Sequence, residues 1–222
     1  MLQQSIQDLY KVFSAYKLNT KIQGCYCNVC LDEEYNKYLH DKKLTELNEE
    51  DFTGYLSCID ILNPESDNRD FKYFLPRMLE LCAISYGFEN IYLKIAESDY
   101  KNWPTVETEA VNTFFRDFWD DQLKTKSALA IIFLLYDLAD AEYNIEPCLK
   151  NLSDLKPEEL TELLINLYDN NAYLKDPSKY INPYHAMIKD WFISPKNIDL
   201  LTDYFKSGKD PYGRTTFSIP SS

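Results

Sequence analysis

Apolar residues recur at steps of three and four along nearly the whole chain, and only five glycines interrupt them. A 3.6-residue period places such residues on one helix face, whereas strands need alternation and hairpins need glycine-bearing turns. The chain is therefore expected to be all-α, a compact multi-helix bundle or an irregular stack of helical hairpins, with about nine or ten helices.

The first apolar stripe is Leu2, Ile6, Leu9, Tyr10, Phe13 and Tyr16. Asp32 with Glu33 favours a helix start through the dipole, and Asn48 offers another, with Phe52, Tyr55, Leu56 and Ile59 turned inward and Asn63-Pro64 as the stop. Phe71, Phe74, Leu75, Met78, Leu79 and Cys82 share a face, but Pro76 has no N–H to give, which predicts a break or kink near Leu75. Arg77 and Glu80, three apart, are expected to pair or to anchor neighbouring segments. Val111, Phe114, Phe115, Phe118 and Trp119 make an aromatic stripe, and Ser127 precedes a strongly apolar helix. Pro157 suits a first helical position ahead of Leu160, Leu163, Leu164, Leu167 and Tyr168. Further helices are expected from Pro183 and from Pro195, the last ending at Gly208 in a left-handed cap. This organisation predicts one helical domain over 1–208, with packed halves 1–146 and 157–208 as the alternative, and an extended tail over 209–222.

Charge narrows the function classes. Asp and Glu number 36 against 23 Lys and Arg, a net charge of −13, with 45% hydrophobic residues. So much apolar material excludes a disordered acidic chain, and the lack of clustered Lys and Arg argues against nucleic-acid or anionic-membrane surfaces. The most apolar run, residues 128–136, is far shorter than the roughly 20 residues that span a bilayer. Residues 1–16 lack the basic-then-apolar layout of an export signal, so a cytoplasmic location is expected.

Two groups of residues carry chemical potential. Cys25, Cys27 and Cys30 form a compact cluster, and the two-residue gap between the last two lets both thiolates reach one zinc, with His40 as a further candidate ligand. The alternatives are thiols packed in a turn, or a redox pair. The second group is acidic: Glu107 and Glu109, then Asp117, Asp120, Asp121, Asp137, Asp140 and Glu142. The last six are the candidate partner-binding carboxylates. There is no Glu-x-x-His, no glycine-rich phosphate loop and no nucleophile elbow, and the two histidines, His40 and His185, define no catalytic set.

The Gly-Cys-x-Cys cluster at 24–27, the string Phe-Leu-Pro-Arg-Met-Leu-Glu-Leu at 74–81 and the stretch from Trp103 to Trp119 with its intervening Glu residues carry a resemblance. Over roughly residues 13–123 the chain resembles an uncharacterised family of bacterial helical proteins. The resemblance implies a helical fold and a bacterial origin, and no activity. Charge then favours a cytoplasmic protein-binding protein, such as an immunity protein that neutralises a cognate basic toxin by occlusion. A helical scaffold or regulator, or a metalloprotein or enzyme using the cysteine cluster, are the other classes.

Overall fold

Most helix starts follow from local chemistry. Asp32 caps α2 (Glu33–Asp41) by accepting from the Tyr35 N–H at 2.7 Å. Asn48 and Asp51 form a reciprocal capping box on α3 (Glu49–Ser57), and Glu49, Glu50 and Asp51 complement the dipole of its first turn. Proline opens α9 (Pro157–Asn170), α10 (Pro183–Phe192) and α11 (Pro195–Lys206), where its missing N–H costs nothing. The remaining helices are α1 (Leu2–Phe13), α4 (Arg69–Ile84), α5 (Ile91–Glu97), α6 (Thr105–Thr125), α7 (Ala128–Asp140) and α8 (Glu146–Ser153). The computed structural model describes residues 1–26, 30–58, 61–62, 67–85, 91–125, 127–170, 182–210, 212 and 215–216. Among these there are eleven α-helices, two short 3-10 turns and no strand, so the chain is all-α.

Its contacts divide it into two compact units, Met1–Asp121 and Gln122–Ser222. The division falls inside α6, upstream of the 146–157 stretch where the sequence pointed. That stretch is not a linker: Pro147 sits in the first turn of α8, and Cys148, Leu149 and Leu152 are buried.

In the first unit α1 packs on α4. Pro76 does not break α4, which runs on from Arg69 to Ile84. The lost backbone bond is offset by packing, because Phe71, Phe74, Leu75, Met78 and Leu79 are fully buried around it. Phe74 lies edge-on to both Phe52 and Tyr55 of α3. Ile59, Asn63 and Pro64, expected at the end of α3, lie outside the described residues.

In the second unit α9 is the centre, packing against α7 and α11, while α10 packs on α7 and α11. Leu160, Leu163, Leu164 and Leu167 are each at most 2% exposed. Burial of such side chains stabilises the fold by about 1.5–3 kcal/mol apiece. Gly208 takes φ 71° after α11, the left-handed cap that its type favours. Beyond Asp210 the expected tail falls largely outside the described residues.

Candidate functional site

Cys25 and Cys30 are half-buried, His40 is exposed on α2, and Cys27 lies outside the described residues. Cys25 and Cys30 lie against α3 and its end: a Cβ on Gly54 would come within 2.7 Å of the Cys30 carbonyl, and the Cys58 thiol lies 3.7 Å from the Cys25 carbonyl. Among the described residues no three His, Cys, Asp or Glu side chains stand together as metal ligands.

The six candidate carboxylates are not all solvated. Asp117 is buried, with the Arg116 guanidinium at 3.1 Å, and Asp120, Asp121, Asp137 and Asp140 are half-buried. Asp140 lies 2.9 Å from Nε2 of the buried His185, whose ring meets Tyr136 edge-on. Glu142 alone is exposed, and its backbone is left-handed at φ 55°. It occupies the position past α7 where glycine is favoured, with Tyr143 N–H donating to Leu138 and Glu142 N–H to Ala139, a Schellman closure.

Several charged groups of the first unit are instead turned inward. Lys72 and Glu107, 35 residues apart, form a buried ion pair at 2.8 Å. Tyr16 donates to the same carboxylate at 2.6 Å, and the Lys72 ammonium lies 4.3 Å from the centre of the Trp103 ring. Asp70, 1% exposed, accepts from the Asn19 and Gln23 backbone N–H groups at 2.7 and 2.8 Å and from the Asn19 amide. Glu80 accepts from Arg77 at 2.6 Å and from Tyr10 at 2.7 Å, and Arg77 also donates to the Leu47 carbonyl. The expected Arg77–Glu80 pair is thus present, half-buried, and it does anchor neighbouring segments.

Asp51 gathers Tyr38 at 2.5 Å, Lys42 at 2.9 Å and the Asn48 N–H at 2.8 Å, while Tyr35 donates to its backbone carbonyl. Burial raises the pKa of Asp51, but the hydrogen bonds from Tyr38, Asn48 and Lys42 together hold it below the ordinary carboxylate value. Tyr10 and Tyr16 titrate well above an ordinary phenol, first through burial and then through the carboxylates they donate to. Burial likewise pushes Tyr35 up to about 12. These hydroxyls remain donors at neutral pH, so they fasten segments together and are poorly suited to general-base chemistry.

An open concave site lies in the second unit, a groove of about 580 Å³ between α9, α11 and Ser207, Lys209 and Tyr212. Half-buried Ile165, Leu200 and Tyr204 give it an apolar floor. Glu158, Glu162, Asp169 and Asp203 stand along it, with Lys209 the single lining cation among the described residues. Tyr204 donates to the Lys209 carbonyl at 3.3 Å, which ties that wall to α11, and Tyr212 at the rim is 78% exposed. A visible signal marked this groove. Glu158, Glu162, Ile165 and Asp169 step by three and four along α9, a second stripe beside the leucines, and Leu200 with Asp203 and Tyr204 does the same on α11, with Ser207 just past its end.

The described lining residues combine carboxylates with apolar side chains. No protein-family model, no curated protein and no solved structure matches the chain.

Proposed function

We propose that the chain is a cytoplasmic protein-binding protein that neutralises a basic bacterial toxin by covering its cationic surface. The observation that carries this reading is where the negative charge lies. Buried Asp51, Asp70 and Glu107 are each paired or hydrogen-bonded within the fold. Exposed Asp32, Glu33, Glu34 and Glu50 of the first unit carry negative charge outward on a chain of net charge −13. A surface of that sign accelerates encounter with a cationic partner and disfavours nucleic acid. Neutralisation then requires binding alone, with no turnover.

The test is co-expression with the product of the neighbouring gene. Growth rescued by this chain, with a complex that weakens as salt rises, supports the reading. A harmless neighbour, or no complex at low salt, leaves a helical scaffold or regulator as the function.

A further inference from the structure

We propose that the α9/α11 groove is the docking site for a basic amphipathic helix of the protein partner, one that lays apolar side chains on Ile165, Leu200 and Tyr204 and sets Lys or Arg against the flanking carboxylates. This rests on the reading above that the partner is a cationic protein, and it names where and how that partner is held.

Charge is concentrated here more than composition requires. Residues 122–222 hold 14 Asp and Glu against 11 Lys and Arg, close to balance, yet the groove presents four carboxylates and one lysine. Glu158, Glu162 and Asp203 make no ion pair with any described residue, so their charge is available. Among the described residues Asp51, Asp70, Glu80 and Glu107 instead lie inside hydrogen-bonded networks of the first unit.

Two of the groove's walls are helices, α9 and α11, and the segment carrying Ser207, Lys209 and Tyr212 adds a third. A helix laid in a groove is anchored through residues spaced by three and four, which matches the spacing of the α9 and α11 stripes. The exposed ring of Tyr212 adds an aromatic face over which an arginine can stack. A small polyamine would satisfy the carboxylates but leave the apolar floor wet. A second copy of this chain would bring like charge against like.

The probe is a fluorescent synthetic helix of about 14 residues, roughly four turns, with Leu at steps of three and four and Lys elsewhere. Its controls are the same peptide with Glu in place of Lys, a Lys peptide without Leu, and spermidine. Binding to the full chain is read by anisotropy and located by amide chemical shifts. The expected result is binding of the Leu/Lys peptide with shifts confined to α9, α11 and Ser207, Lys209 and Tyr212, weakened about tenfold or more by Glu162→Lys with Asp203→Lys. The charge-neutral pair Glu158→Gln with Glu162→Gln should weaken it less, and circular dichroism checks that both variants fold. Equal binding of the Leu/Glu peptide, equal binding of spermidine at the groove, shifts elsewhere, or an unaffected double variant would overturn the proposal. If a toxin is neutralised equally by wild type and by Glu162→Lys/Asp203→Lys, the groove assignment falls while neutralisation stands. If the peptide docks as expected but the neighbouring product is harmless, the groove stands and the toxin reading falls.

Discussion

The two units differ in how much charge their cores hold. In residues 1–121 the core is threaded by charged side chains: Lys72 with Glu107, Asp70 under the Asn19 and Gln23 amides, and Asp51 with Lys42 and Tyr38. In residues 122–222 the centre is aliphatic, with Ile131, Ile132, Leu134 and Leu135 of α7 and the four leucines of α9 buried, and carboxylates left around an open groove. The first unit therefore uses charge to fix which segments meet, since a buried charge tolerates few alternative partners. The second relies more on non-directional burial, and its Glu158, Glu162 and Asp203 line the groove without an ion pair to any described residue.

The largest blow to this contrast would come from Lys72→Met. It strands Glu107 in the core and should destabilise the protein by about 3–5 kcal/mol in urea unfolding, and adding Glu107→Leu should recover most of that. A loss under 1 kcal/mol would mean that the pair is no fastener. Leu164→Ala, at a fully buried site of the second unit, is expected to cost about 3 kcal/mol through a cavity, with no pH dependence.

Asp51→Asn brings pH in. Because the folded pKa of Asp51 is held below its ordinary 3.8, its stabilisation is present above that value and is lost as the pH falls through the lower folded one. The variant should trail wild type by about 1–2 kcal/mol at pH 7, and the gap should close in acid, which midpoints at pH 7 and pH 3 would reveal. A gap that persists in acid would assign the loss to packing.

Glu142→Gly should stabilise the second unit by about 1 kcal/mol, since it relieves a left-handed non-glycine backbone; a lowered melting temperature would show that the Glu142 side chain matters more than its cap geometry. Smallest of all, Glu162→Lys with Asp203→Lys should alter unfolding free energy by no more than about 0.5 kcal/mol. A larger loss would mean that the groove carboxylates serve the fold.

Much of the fold was legible because its signals are local. Asp32, Asn48, Ser127, Pro157, Pro183, Pro195 and Gly208 each sit at the helix end that their chemistry predicts. Pro76 misled, since propensity argued for a break and the packing of Phe71, Phe74, Leu75, Met78 and Leu79 outweighed it. α8 escaped notice because Glu146-Pro147 reads as punctuation when the burial of Leu149 and Leu152 is unseen. Of the site, the stripes of α9 and α11 were present in the spacing, but nothing in one helix says that another presents a matching face.

The sequence by itself determined that the chain is helical, where most helices begin and end, and that it is strongly acidic, because periodicity, capping and charge are properties of neighbouring residues. Only the tertiary structure decided which carboxylates count as surface. Asp117 and Asp140 lie beside Arg116 and His185, Glu107 is buried against Lys72, and Glu158, Glu162 and Asp203 line the groove. Each of these carries the same charge in the sequence, and solvent exposure and partners 35 or more residues away, as for Glu107 and Asp140, set its role.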